Sequence, residues 1–242
     1  TNISSTVTYF NNLKVKAFGA SQEQAIKGLP ADAKITSLEF SPDSKFLAFT
    51  HTASQGVELW VVELATGQAR ALTEGILNAN LDAGYMWFGG SEQLLINKLP
   101  SNRQPLKDSA KDLPQGPTVS TSEGKVSQLR TYQDLLKNPL DEANFESLIQ
   151  SELYLVDLSG QQKKFLDAAM YIQQTLSPDG NYLLVTTIER PFSYVVPLNN
   201  FPQKTVVYDM SGKAIKTVNE IPLLEIMPKG FSSTRPGKRS MH

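Results

Sequence analysis

The 242-residue sequence contains no cysteine and only two histidines, and each shortage removes a class of chemistry. Without cysteine there is no disulfide framework, no thiolate zinc site and no cysteine nucleophile. His51 and His242 are far apart in sequence, whereas a histidine metal site needs clustered ligands. We place His51 just past a strand end, as a loop or surface residue rather than a general base. We therefore predict no metal site and no cofactor.

Charge and hydrophobic runs narrow the function classes further. The chain has 23 Lys and Arg against 24 Asp and Glu, so it lacks the basic bias of a general nucleic-acid binder. No apolar run approaches the roughly 18 residues that span a bilayer. Because Thr1 is neither an initiator Met nor part of a signal-like segment, we expect the chain to begin inside a longer one.

The sequence also lacks the motif of a serine nucleophile. The nearest approach to Gly-x-Ser-x-Gly is Gly230-Phe231-Ser232-Ser233-Thr234, which lacks the second glycine and follows no predicted strand. There is no glycine-rich phosphate loop either. We therefore predict no catalytic residue in these 242 residues, and Ser232 is not a candidate nucleophile.

A short motif occurs twice and reads each time as strand, tight turn, strand. Its copies are Ser41-Pro42-Asp43-Ser44 and Ser177-Pro178-Asp179-Gly180, both flanked by apolar residues. Proline presets φ, aspartate can bond its own backbone, and glycine accepts the positive φ that closes the turn. Ser44 replaces that glycine, so we expect it to adopt a left-handed conformation at a cost of about 1 kcal/mol. The motif predicts antiparallel strand pairs within a repeat.

The repeat is about 40 residues long with four predicted strands, the size of one propeller blade. We therefore predict an all-β fold: a partial β-propeller of about three four-stranded antiparallel blades. Trp60, Trp87 and the tyrosines fall at strand spacing, which favours packing roles. The predicted divisions are lead-in strands or a hairpin around Asn11-Asn12 within 1–34, blades at 35–80, 81–170 and 171–226, and a connector tail at 227–242.

An insertion of about 50 residues, 98–150, interrupts the second blade. Its first half is rich in proline and glycine and predicts an irregular loop. Its second half predicts two short helices, 132–137 and 141–150, with Asp141 as N-cap and Phe145 on an apolar face. Helix capping and the helix dipole explain Glu142 and Glu146 without a metal or acid–base role. Insertions of this length inside a compact repeat are usually functional or partly disordered.

Three blades do not close a ring, which needs at least four. If each open blade face exposed roughly 500 Å² of apolar surface to water, the fold would lose about 12 kcal/mol of hydrophobic stabilisation per face, at ~25 cal/mol per Å². We therefore expect either a fragment of a larger propeller or a chain that pairs with another copy through its open blade edges.

Several segments resemble the N-terminal propeller of serine peptidases of the prolyl oligopeptidase family, most of all the bacterial branch similar to glutamyl endopeptidases. The tyrosine-bearing insertion and the Arg-Pro-Phe-Ser-Tyr segment are the most specific of them. The segments are Gly28-Leu29-Pro30, Phe40-Ser41-Pro42-Asp43, Arg130 to Asn138, Arg190 to Pro197 with Phe201-Pro202, and Pro228-Lys229-Gly230-Phe231.

The resemblance implies a function that this chain does not complete alone. In that family the propeller caps a C-terminal α/β-hydrolase domain with a Ser-Asp-His triad, and this chain ends before any such domain. The implied parent is a hydrolase that cleaves peptide bonds, after acidic residues such as Glu, and meets its peptide substrate through the missing catalytic domain. The implied location is the periplasm or the cell exterior.

Three arginines are the candidates for substrate binding: Arg190, Arg130 and Arg103. Arg190 lies on a proline-rich loop between two predicted strands, where it could meet a substrate carboxylate in bidentate fashion. The other two lie in the long insertion. The competing interpretation for all three is a structural ion pair on the surface.

Two other functions stay open at this point. One is a non-enzymatic propeller similar to TolB or WD40 proteins that binds a protein partner. The other is a self-paired fragment with no native role, which would be a dimer in solution. A downstream reading frame of roughly 400 residues with a Gly-x-Ser-x-Gly elbow would favour the peptidase.

Overall fold

The computed structural model describes residues 2–4, 6–108 and 132–226. Within these ranges the chain forms antiparallel sheets, one α-helix (α1, Pro139–Ile149) and a 3₁₀ turn (Leu198–Asn200), and neither helical segment is long and apolar enough to cross a membrane. The strands are β1 (Lys14–Val15), β2 (Gln24–Ala25), β3 (Ile35–Phe40), β4 (Phe46–Thr52), β5 (Val57–Glu63), β6 (Gln68–Ala71), β7 (Tyr85–Trp87), β8 (Gln93–Lys98), β9 (Ser151–Asp157), β10 (Gln162–Ala169), β11 (Tyr171–Leu176), β12 (Tyr182–Ile188), β13 (Gln203–Asp209) and β14 (Ala214–Ile221).

Twelve of these strands form three four-stranded sheets in which every strand pairs with its neighbour along the chain. Blade one is β3 to β6, blade two β7 to β10 and blade three β11 to β14. In blade two, β8 and β9 stay in continuous register, from Gln93 opposite Asp157 to Lys98 opposite Glu152, despite the insertion between them. The predicted partial propeller, with a short helical insertion in its second blade, is confirmed.

Both Ser-Pro-Asp turns close between the first and second strands of a blade. In blade one the Ser44 N–H donates to the Ser41 carbonyl at 2.8 Å, and in blade three the Gly180 N–H donates to the Ser177 carbonyl at 2.8 Å. Ser44 has φ of 57° and Gly180 of 70°. The prediction that a serine occupies the left-handed position of the first turn is confirmed.

Four aspartates fix the tight turns, and the serine hydroxyl of the same turn donates to each carboxylate at 2.5–2.7 Å. The residues are Asp43, Asp157, Asp179 and Asp209. These hydrogen bonds hold the pKa of each carboxyl below its ordinary value, that of Asp179 at about 2. In an antiparallel meander the first and third turns share one end of the sheet, which we call the turn rim. The second connection of each blade lies at the opposite end, the insertion rim.

Three of the four apolar clusters lie in series between successive layers, and the fourth lies between α1 and the connection from β12 to β13. One face of blade one packs on blade two, with Leu59, Trp87 and Ile96 in the shared cluster. Blade two meets blade three around Leu95 and Leu183. The other face of blade one is covered by the lead-in, whose packing residues include Leu13, Val15, Ile26 and Leu29.

The lead-in forms a pair of strands, but not around Asn11-Asn12. The antiparallel pair is β1 with β2. Phe10, just before the asparagines, exchanges two backbone hydrogen bonds of 2.8 Å with Ile35 of blade one. The chain before Asn11 is paired with blade one and not with β1. The turn of the lead-in hairpin is therefore formed by the residues between β1 and β2.

The two-helix prediction for the insertion is wrong in its first half. Residues 132–137 are not helical, since Asp134 has φ of 56° and Asn138 is extended. The residue before a proline disfavours the helical region, so the helix begins at Pro139. Asn138 is the N-cap and accepts from the Asp141 N–H at 2.9 Å. Asp141, predicted as the cap, instead accepts from the Lys137 N–H at 2.9 Å.

Candidate functional site

The two longest connections meet at the insertion rim. They are residues 99–150 between β8 and β9, which carry α1, and residues 189–202 between β12 and β13. Phe145 of α1 is packed edge-on against Phe192 and Phe201 of the second connection, with ring centres 5.2 and 5.7 Å apart. Edge-to-face pairs of this kind add about 0.5–1.5 kcal/mol each beyond their buried area. The helix of blade two is thus anchored on blade three.

Arg190 bridges two carboxylates of α1. Its Nη1 donates to Glu142 Oε2 at 3.1 Å and its Nη2 to Glu146 Oε2 at 2.6 Å. The glutamates lie four residues apart, so they share one face of the helix. The guanidinium also lies 4.6 Å from the centre of the Phe192 ring, a cation–π contact. The hydrogen bonds, first that with Glu146, raise the pKa of Arg190 above its ordinary value.

The C-terminal end of α1 is capped by side chains from outside the helix. The amide nitrogen of Asn78 donates to the Leu148 carbonyl at 2.9 Å and to the Gln150 carbonyl at 3.1 Å. Asn80 donates to the same Leu148 carbonyl at 2.9 Å. Helix ends leave carbonyls without intrahelical partners, and here residues of the connection between blades one and two satisfy them.

Arg103 is also a neighbour of α1. Its Nε donates to the Ser147 carbonyl at 2.9 Å, and its Nη1 donates to the Asn2 side chain. Partial burial lowers its pKa below the ordinary arginine value. Arg103 and Arg190 therefore contact the same helix from outside. Arg103 binds near its C-terminal end, and Arg190 binds the face that carries the two glutamates. Arg130 lies outside the described residues, as do Ser232 and His242.

The remaining residues singled out from the sequence have packing roles. His51 is within β4 rather than past its end and is buried. Its Nδ1 accepts a hydrogen bond from the Lys34 N–H at 3.2 Å. Strand β4 continues to Thr52, and the His51 ring packs edge-on against Trp60. Trp87 is buried between blades one and two. In the described ranges no group of three or more His, Asp or Glu is placed to hold a metal ion.

The electrostatics of Arg190 limit what it can bind. Its side chain is half exposed, at 50%, but its single positive charge faces the two negative charges of Glu142 and Glu146. A substrate carboxylate at Arg190 would therefore compete with Glu142 and Glu146 for the same positive charge. Burial and a hydrogen bond with Glu142 raise the pKa of the neighbouring Tyr194. Substrate binding by Arg190 stays a prediction, and so does that by Arg103.

Sequence reasoning missed the partners that assemble this site. In the sequence Phe192 and Phe201 stand out only as part of the family resemblance, and no pattern marks Asn78 or Asn80. One pattern in the sequence does point to this ion pair. Glu142 and Glu146 lie four residues apart on a predicted helix, so both can contact one cation, and Arg190 lies on the other long connection.

Sheet order, turn chemistry and the docked insertion define a class: a partial β-propeller whose two long connections lie at one rim. Over 232 residues the chain is 34% identical to a protein of Oryza sativa subsp. japonica described as "Probable glutamyl endopeptidase, chloroplastic", a match that covers 91% of this chain and 24% of that protein. A protein of Arabidopsis thaliana with the same description is 35% identical over 232 residues, covering 92% and 24%. The resemblance drawn from the sequence is confirmed: over nearly its whole length the chain is similar to proteins described as glutamyl endopeptidases.

Two further findings accompany this relationship. The chain spans about a quarter of the length of the curated relatives that it matches. Among solved structures, a TolB protein from Agrobacterium tumefaciens is similar with a TM-score of 0.47 and 13% identity, covering 82% of this chain and 52% of that one. No protein-family profile matches the chain.

Proposed function

We propose that this chain is the substrate-holding propeller segment of a serine peptidase, whose catalytic triad lies in other parts of the parent protein. The observation that carries the proposal is the 34–35% identity to glutamyl endopeptidases across nearly the whole chain. The segment would hold extended peptides and exclude folded proteins from the catalytic domain.

The insertion rim is the part of the segment best suited to this task. Its two connections are the longest of the described residues, and its exposed apolar side chains suit an extended peptide. These are Leu81, Leu106, Tyr194 and Val195. The turn rim, by contrast, is made of tight turns whose carboxylates are occupied by their own serine hydroxyls.

Two proteins test the proposal: the 242-residue chain and the complete reading frame that contains it. Both are assayed with a chromogenic peptide ending in Glu and a matched peptide ending in Gln, with and without a serine-directed phosphonate. We expect the complete protein to cleave and the phosphonate to stop it, while the 242-residue chain is inactive. Phosphonate-sensitive cleavage by the short chain would overturn the placement of the triad. A reading frame without a Gly-x-Ser-x-Gly elbow would favour a non-enzymatic, TolB-like binder instead.

The finer features of the parent are part of the same proposal. The relatives are described as glutamyl endopeptidases, so we propose cleavage after Glu, which predicts a higher kcat/KM for the Glu peptide than for the Gln peptide. We propose the periplasm or the cell exterior as the compartment, although the plant relatives are described as chloroplastic. Fractionation of the source cells tests that location.

A further inference from the structure

Helix α1 is a poor helix by itself. It has eleven residues, and isolated helices shorter than about 12–15 residues are marginal in water. Its polar residues are not confined to one face, since Glu142 and Asn144, two residues apart, point to nearly opposite sides of the helix. Yet every residue from 140 to 149 is partly or fully buried. The helix therefore depends on what surrounds it.

Three separate parts of the chain surround α1. Blade three contributes Arg190 and the two phenylalanine rings of its long connection. The connection between blades one and two contributes the asparagine caps. The third part is the start of the insertion: Asn144 accepts from the Lys107 N–H at 2.8 Å and donates to the Lys107 carbonyl at 2.9 Å, as a neighbouring strand would.

We propose that α1 is a strap between blades two and three that is helical only when docked and is released as one unit. The contacts that cap the C-terminal end of the helix also dock it, so loss of one contact weakens the remainder. Its release uncovers the apolar surface on which it lies. That surface is formed by Ile188, Phe192, Val196 and Phe201.

The strap lies at the insertion rim, so its release would expose this apolar surface where we propose that an extended peptide is held. This last step depends on the proposed peptidase function, whereas docking and release of the helix do not. The first experiment therefore uses no enzymatic readout.

Hydrogen exchange of the 242-residue chain, followed by mass spectrometry, tests the strap directly. We expect the α1 amides to exchange together as one unit and faster than those of β12. Arg190→Ala should speed α1 exchange roughly three- to tenfold, since it removes two exposed ion pairs and a cation–π contact. Sodium chloride at about 1 M, where the Debye length is near 3 Å, should have a similar effect on the wild type. Neither change should alter β12.

A matched control removes ion pairs elsewhere. Lys164 pairs with Glu152 at 2.8 Å and Asp167 at 2.9 Å within blade two, and Lys164→Ala should leave α1 exchange unchanged. A charge exchange supplies the specific test. Arg190→Glu should accelerate α1 exchange more than Arg190→Ala, and adding Glu146→Arg should restore it towards the wild-type rate.

Phe145→Ala gives the largest expected effect, roughly a hundredfold faster exchange of α1, while the three sheets keep their protection. The proposal is overturned if α1 exchanges at the rate of β12 in every variant, or if β12 and α1 accelerate equally. A complete protein without peptidase activity, in the presence of normal strap behaviour, would instead overturn the proposed function alone.

Discussion

Two glycines in the turns of blade three lead to a quantitative prediction about how blades two and three fit together. Gly180 has φ of 70° and an added Cβ there would meet no atom within 4 Å. Gly212 has φ of 86°, and an added Cβ would lie 2.7 Å from the carbonyl oxygen of Phe165 in blade two. The two positions share the backbone requirement and differ in the space around them.

Alanine at either position should destabilise the chain, by different amounts. A left-handed conformation costs a non-glycine residue about 1 kcal/mol, so Gly180→Ala should lower the free energy of unfolding by about 1 kcal/mol. At Gly212 the contact with a backbone oxygen of another blade adds the cost of overpacking, about 1–3 kcal/mol. Gly212→Ala should therefore cost about 2–4 kcal/mol.

Urea unfolding followed by circular dichroism measures both changes, provided that the m-values of the variants agree. Asparagine is the control, because it tolerates the left-handed region but keeps the Cβ. Gly180→Asn should be close to wild type, whereas Gly212→Asn should remain clearly destabilised. Equal losses at the two positions would refute the close contact between the β13–β14 turn and β10.

Three further predictions concern the turns and the core. Ser44→Gly should raise the free energy of unfolding by up to about 1 kcal/mol in urea, because it relieves the left-handed serine. The pKa of Asp179 is lowered from 3.8 to about 2, first by the Ser177 hydroxyl, so its contribution to stability is complete above pH 4 and is lost as the pH falls towards 2. Asp179→Asn should therefore flatten the stability curve in that window, measured by urea unfolding at each pH. Leu183→Ala, in the core between blades two and three, should cost about 2–5 kcal/mol, whereas Ile215→Ala on the exposed outer strand should cost less than about 0.5 kcal/mol; thermal melts compare them.

The blades could be predicted because their signals are local. The run from Val57 to Leu64 is rich in β-branched and other apolar residues, a pattern typical of a strand, and β5 is Val57–Glu63. The turns between strands depend on the chemistry of four or five consecutive residues, and Ser44 adopts the expected left-handed φ. Strands and turns that are fixed by residues close together in the sequence can be predicted from the sequence alone.

The insertion could not be predicted in the same way, because its structure depends on distant partners. The start of α1 depends on a competition between two caps, and Asn138 prevails over Asp141 because a proline follows it. The ion pairs of Arg190 join residues 44 and 48 positions apart. Neither hydrophobic periodicity nor residue propensity indicates contacts between residues so far apart in the sequence. The sequence therefore identifies Arg190 as a candidate but not its partners Glu142 and Glu146.

The serial arrangement of the apolar clusters has a consequence for how defects spread. Each cluster joins adjacent layers, in the order lead-in, blade one, blade two, blade three. Such a stack resembles a one-dimensional chain of units coupled to nearest neighbours. Through these clusters, damage in the strand pair β1 and β2 reaches blade three only by way of both intervening sheets, so fraying of that pair should leave blade three folded. Blade two is the one blade with another blade on each face, so its loss would separate blade one from blade three.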